Sequence, residues 1–249
     1  MEEASPNFSF DHCSVTAFAD LIENARATYR PSCAAALEQK IPVYDSRRVR
    51  DQCQSGQFEA NLISEWGYCL AEGPGVFVLR HAFTAMTVVD RVSRVFEALI
   101  ETERAAGQSA GDHFAAPGTN ARVWNALEKL CVADPEGFAL YYSNDMIALA
   151  AKAWLGPKYQ MTSQVNVVYP GGQAQAAHRD YHLGFMDPTE CATYPPHVHQ
   201  LSSRLTLQGA VAHCDMPVAS GPTKLLPFSQ LYAAGYLACH RDDFRQYFD

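Results

Sequence analysis

The sequence has no Cys-x-x-Cys pair, no block of Lys and Arg, and no apolar run near the roughly 18 residues that a membrane span needs. Each absence removes a class of function. Without Cys-x-x-Cys there is no zinc knuckle and no thioredoxin-type redox motif. The eight cysteines, at 13, 33, 53, 69, 131, 191, 214 and 239, fall at wide and irregular intervals. The opening stretch, MEEASPNFSFDHC, is acidic and holds no apolar segment, so it does not read as a secretory signal. Dispersed cysteines and no export signal predict reduced thiols and a cytoplasmic protein. Net charge is 19 − 27 = −8. That is the wrong sign for a nucleic-acid surface or an anionic membrane, both of which need clustered cations. The densest basic run, Arg47-Arg48-Val49-Arg50, is short and reads as a solvated helix face.

What is present is 249 residues, 48% of them hydrophobic and 18% charged, enough to bury a full core. With no repeat and no low-complexity linker, a single domain over 1–249 is expected. Its N-terminal region, 1–70, reads as helical. Val15, Phe18, Leu21 and Ile22 share a helical face within Ser14–Tyr29, with Ser14 as N-cap. An alanine-rich helix follows over Ser32–Gln39, and a charged one over Arg47–Gly67. Gly75–Phe83 is a β-branched run after a Pro-Gly turn and predicts a strand. Thr84 then caps a long amphipathic helix over Val88–Ala105. Residues 107–119 read as a loop, and Arg122–Leu130 and Asn144–Leu155 as helices, the second stopped by Gly156-Pro157. From Tyr159 strands are expected: Tyr159–Tyr169, the segment around His178, Leu201–Asp215 and Lys224–Pro227. Gln230–Phe248 returns to helical spacing.

The chemistry concentrates in Gln164–Phe185, QVNVVYPGGQAQAAHRDYHLGF. Val165, Val167 and Val168 open it as a strand, and Pro170-Gly171-Gly172 breaks it. His178 and Asp180 then stand two apart. In an extended segment such side chains leave one face, so imidazole and carboxylate converge. They are two of the three donors of a 2-His-1-carboxylate iron site, although His-x-Asp is also a common tripeptide. The His178-Arg179-Asp180 string does not make a kinase catalytic loop. The magnesium-binding Asn of that loop is replaced by Phe185, and neither a Gly-rich phosphate loop nor Asp-Phe-Gly occurs. A metal-dependent hydrolase would show further His/Asp clusters, which Asp187 and Asp215 do not form.

The order of Gly75–Phe83, Gln164–Pro170, His178-Arg179-Asp180 and Ala210–Gln230 (AVAHCDMPVASGPTKLLPFSQ) resembles the phytanoyl-CoA dioxygenase family over about residues 66–230. The resemblance implies an α+β fold: a double-stranded β-helix (a cupin-like jelly roll) over 75–249, buttressed by helices. It implies an Fe(II)- and 2-oxoglutarate-dependent dioxygenase acting with O₂ on a small organic substrate. His178 and Asp180 would be metal ligands, and an Asp at 180 argues against the related halogenases. Gln164, Asn166 and Thr206 are the candidates for holding 2-oxoglutarate, or else ordinary polar strand residues. Arg179, between two ligands, points away from the metal.

The family's third ligand, a His on a later strand, has no clear counterpart, nor does the Arg that follows it. His240 lies in a helical-looking segment, His213 in a strand before the Gly221-Pro222 turn, and His182 too close to Asp180. His197 and His199 sit in a Pro-flanked loop. The expectation is a chain incomplete at its C-terminus, its last jelly-roll strands missing. The alternative is a non-catalytic jelly-roll binding protein or an inactive fragment of such an oxygenase. Trp124, Tyr181 and Phe185 are either pocket walls or core.

Overall fold

Ser14 starts the first helix as expected: its Oγ accepts from Ala17 N at 3.2 Å and releases the chain into α1 (Val15–Thr28). The computed structural model describes residues 7, 9–107, 120–172, 175, 177–184 and 186–248. Phe185 and most of the expected 107–119 loop lie outside them. The apolar face of α1 buries Phe18 and Ile22 against the C-terminal segment. The Phe18 ring stands 5.2 Å from Tyr232, 5.3 Å from Phe244 and 5.2 Å from Tyr247.

Ser32–Gln39 is not a helix. Ala36–Glu38 forms β1, hairpinned to β2 (Ile41–Asp45) with Leu37 opposite Pro42. Gln39 and Lys40 turn the chain at positive φ, 48° and 71°, the geometry of a tight two-residue hairpin. Alanine propensity lost to the local hairpin with β2. The expected Arg47–Gly67 helix is two helices, α2 (Ser46–Gln52), capped by Asp45, and α3 (Gly56–Ala71). Only Val78–Arg80 of the expected Gly75–Phe83 strand pairs, as β3 parallel to β2. Ala85 rather than Thr84 stands at the N-cap of α4 (Met86–Ala105), which buries Val89, Val92 and Phe96.

Asn120–Val123 is β4, where a helix from Arg122 was expected. Asn125, at φ 52°, then turns the chain into α5 (Ala126–Ala133), followed by α6 (Pro135–Tyr142) and α7 (Asp145–Leu155). As expected, Asn144 caps α7, accepting from Met146 N and Ile147 N at 3.0 Å, and Gly156 stops it at φ 83°. Tyr159–Tyr169 contributes only Val165–Val168, β5, antiparallel to β4 with Val123 opposite Val165 and Asn120 opposite Val168. Ala121 and Val123 are buried on one face of this ladder, and Val123 joins Val89, Val92 and Leu130 in a core with Val165 packed on it.

Beyond β5 no described residue lies in a strand. α8 (Pro188–Cys191), α9 (Pro196–Arg204), α10 (Gly235–Ala238) and α11 (Asp242–Arg245) are joined by irregular chain. Leu201–Asp215 alternates in sequence, yet Pro196 at the first turn starts α9 and carries it through Leu201. Residues 205, 206, 208–210, 212 and 214 are exposed while Leu207, Val211 and His213 turn partly inward, but no described strand pairs with this stretch. Lys224–Pro227 is likewise no strand; it lies between two prolines, which cannot donate to a ladder. Gln230–Phe248 is a chain of short helices rather than one. Among the described residues, five short strands in two separate sheets make a mixed helix-and-sheet architecture. A jelly roll has eight.

A half-buried carboxylate ties the first sheet to α3. Glu65 accepts from Ser32 N and Oγ (both 2.6 Å), Cys33 N (2.9 Å) and Tyr44 OH (2.7 Å). Burial pushes its pKa up, but the bonds from Ser32, Tyr44 and the Cys33 amide outweigh it and hold the carboxyl below its ordinary value. A depressed pKa stabilises the fold above the unfolded value, about 4.3, and that contribution is lost as pH falls through the folded one. Glu65→Gln is therefore expected to cost about 1–3 kcal/mol at pH 7. Urea unfolding should show this deficit shrinking below pH 4.

Candidate functional site

β5 ends in a turn built for close approach. Gly171 takes φ 84°, and Gly172 N donates to Tyr169 O at 2.8 Å. A Cβ on Gly172 would sit 2.8 Å from Asn120 Oδ1 and 2.8 Å from Val168 Cγ1, so only glycine fits. The chain leaves this turn toward His178. That segment is irregular, not the expected strand, because no ladder partner meets it among the described residues. The convergence survives nonetheless. His178 Nε2 lies 3.2 Å from Asp180 Oδ1, each side chain about a quarter exposed, at 25% and 28%. Arg179 turns away, donating from Nη2 to Ser229 O (2.5 Å) and Tyr232 O (3.0 Å).

The hydrogen bond from His178 holds the Asp180 carboxyl below its ordinary value; burial opposes it, and the His178 charge, Gln208 and the Arg122 charge add to the lowering. Asp180 is thus kept ionised. A His–Asp contact is not specific by itself. His81 Nδ1 lies equally close, 3.2 Å, to Asp45 Oδ1, but Asp45 caps α2 and pairs with Arg47 at 2.9 Å. The carboxylate of that second pair is already engaged.

Sequence reasoning missed Arg122, which it had placed in a helix. On β4 it stands opposite Asn166, and cross-strand partners share a face. Its guanidinium lies 4.6 Å over the half-buried Trp124 ring. Gln164 and Asn166 are both exposed and alternate with half-buried Val165 and Val167, as a strand requires. Thr206 does not face them from another strand. It sits in irregular chain after α9, and its carbonyl accepts from Trp154 Nε1 at 3.1 Å. No hydrogen bond joins Thr206 to Gln164 or Asn166. The signal for Arg122 was its place in a short Asn-Ala-Arg-Val run, which reads as a strand only once β5 is known to pair with it. Tyr181 is core, its OH bonded to His199.

Three further histidines, His199, His182 and His213, are engaged elsewhere. His199, expected in a loop, lies in α9 and is buried. Its Nε2 donates to Cys191 O (2.9 Å), its Nδ1 meets Tyr181 OH (2.8 Å), and Tyr236 stacks on it at 3.6 Å. His197 is on the exposed side of the same helix. His182 Nδ1 bonds Ser202 Oγ, and His240, half-buried, follows α10. His213 is in irregular chain rather than a strand. Ser93 Oγ donates to Val89 O at 2.8 Å, so it accepts from His213 Nδ1–H at 2.8 Å, and Tyr141 OH donates to Nε2 at 2.9 Å. Both ring nitrogens are occupied. Among the described residues no group of three or more His, Cys, Asp or Glu side chains is placed to hold a metal ion.

Residues 67–249, well over half the chain and running further than the stretch that carries the motifs, match the family model described as phytanoyl-CoA dioxygenase (PhyH). No curated protein and no solved structure matches the chain. No described helix is long and apolar enough to cross a membrane.

His213 anchors the irregular chain from which Gln208 reaches Asp180. Burial holds its pKa below the ordinary value. Its contribution to stability is therefore full above the unfolded value of about 6.5 and is lost as pH falls below it. His213→Gln is expected to lose on the order of 1–2 kcal/mol at pH 7.5. Paired denaturation curves should show the gap to the wild type closing toward pH 5.5.

Proposed function

The chain belongs to the phytanoyl-CoA dioxygenase family, and from that premise we propose that it is an Fe(II)- and 2-oxoglutarate-dependent dioxygenase that hydroxylates a small organic substrate, with His178 and Asp180 as iron ligands. The observation that carries the assignment is their convergence. Donors about 2.1 Å from an octahedral metal lie roughly 3.0 Å apart when adjacent, and the pair stands at 3.2 Å. With the proton between them released, as metal binding requires, an imidazole nitrogen and an anionic oxygen suit Fe(II). The pair fits one edge of the metal; a third protein donor is not among the described residues.

The bound iron and 2-oxo acid supply the oxidising chemistry for a C–H bond. This chain's own residues bind and orient. His178, with help from Gln208 and Arg122, keeps Asp180 anionic and ready for a cation. Gln164 and Asn166 offer exposed amides, and Thr206 an exposed residue after α9, as the candidates for the cosubstrate. Arg122 beside Asn166 adds positive charge that favours a carboxylate there. In this reading the 1–70 region, whose helices flank the β1–β2 hairpin, and residues 75–249 form one domain, the latter built on the family's jelly roll, with β4 and β5 as its described pair. Eight free cysteines agree with a cytoplasmic setting.

A second reading, a non-catalytic binding protein of the same fold, is favoured by one observation: the pair has only two donors. Anaerobic titration with Fe(II) and 2-oxoglutarate separates the two. A weak visible charge-transfer band should appear with the wild type and vanish in Asp180→Ala. Absence of the band from the wild type would replace the oxygenase with the binding protein.

A further inference from the structure

We propose that Arg179 is a positioning residue whose guanidinium, locked beneath Gly235, sets the orientation of His178 and Asp180 from the C-terminal segment. What the pair binds rests on the oxygenase reading; the lock itself does not.

The lock has two ends. A Cβ on Gly235 would lie 1.9 Å from Arg179 Nη2 and 2.2 Å from its Cζ, so the guanidinium occupies the space a side chain would take. At the other end, a Cβ on Gly184 would lie 2.2 Å from Arg179 O, where Gly184 N turns back onto Tyr181 O at 2.8 Å. Head and backbone of Arg179 are thus both confined by glycines. His178 and Asp180 flank the confined residue, and their side chains meet each other at 3.2 Å while the Ser229 and Tyr232 carbonyls hold Arg179.

The carbonyls that receive Nη2 belong to a fixed frame. Between them, Gln230 Nε2 donates to Gly73 O at 2.8 Å, and Gly75, at φ 74°, leaves the room that the Gln230 amide fills. Tyr232 OH accepts from Ser14 N at 2.8 Å. Among the described residues Arg179 forms no ion pair; its hydrogen bonds go to two carbonyls. A partly buried cation held only by carbonyls is a poor device for stability, since an apolar side chain of that size loses nothing to desolvation. It is a good device for direction, because a planar guanidinium fixes its partners' angles.

The test uses the full chain and reads the pair without metal. The His178 imidazole resonance, assigned with His178→Asn, is followed by ¹H–¹³C NMR in Gly235→Ala, Arg179→Gln and Arg179→Lys. Glu65→Gln serves as a variant destabilised far from the pair. Fe(II) affinity and the melting midpoint are measured alongside. Gly235→Ala and Arg179→Gln should each shift the resonance and weaken Fe(II) binding at least tenfold, with Glu65→Gln changing neither. Adding Arg179→Lys to Gly235→Ala should restore both, because a slim ammonium fits beside the new methyl. If Gly235→Ala does not fold, Arg179→Gln carries the same comparison. An unmoved resonance in folded Arg179→Gln overturns the proposal, as does an equal shift in Glu65→Gln. A wild type that binds no iron while the variants still shift His178 sinks the oxygenase reading and leaves the lock standing.

Discussion

The four-residue ladder between β4 and β5 is the constraint on which the site depends. Its pairing assigns every side chain of Asn120–Val123 and Val165–Val168 to one of two faces. One face seals the α4–α5 core through Val123 and Val165. The other presents Arg122 and Asn166. The ladder also fixes where β5 ends, and hence where Gly171 and Gly172 must turn. A register slip of one residue would bury Arg122 and expose Val123, so the hydrophobic core and the polar face hold each other in place.

Polar groups inside this protein are tied to backbone more often than to each other. Arg50 reaches Asp145 at 2.7 Å and also the carbonyls of Ala82 (2.6 Å) and His81 (3.2 Å), joining α2, α7 and the approach to α4. Arg91 grips Asp134 through two bonds of 2.6 Å while Asp134 accepts from Gly137 N at the start of α6. Glu65, which accepts from the Ser32 and Cys33 amides, follows the same rule. Such groups contribute modestly when paired, but removing one partner strands the other at the full cost of desolvation. Connections between distant segments are therefore specific even where they add little net stability.

Features carried by a few adjacent residues were legible in the sequence. Ser14, Asn144 and Gly156 act within one turn of where they stand, and all three mark the helix ends they were read to mark. The His178–Asp180 convergence needed only a spacing of two. What the sequence did not disclose was which segments pair. Ala36–Glu38 has helix-forming alanine beside it, yet it answers to β2. Arg122 sits in a run of ambiguous propensity, yet it answers to Asn166. Leu201–Asp215 misled in the opposite direction: it alternates like a strand, but a proline starts a helix there and no sheet face awaits the remainder. The family assignment was legible because it rests on the order of short motifs, not on any one element.

The packing of α1 bears on how the protein is made. Phe18 finds its aromatic partners at Tyr232, Phe244 and Tyr247, more than two hundred residues downstream. At the 5–20 residues per second of ribosomal synthesis, α1 emerges on the order of ten seconds or more before the surface that covers it. Over that interval its apolar face is open to whatever else binds hydrophobic chain. Closing so long a loop also raises contact order, which slows folding after release. α1 is thus made long before the surface that buries it, and its apolar face stays open through that interval.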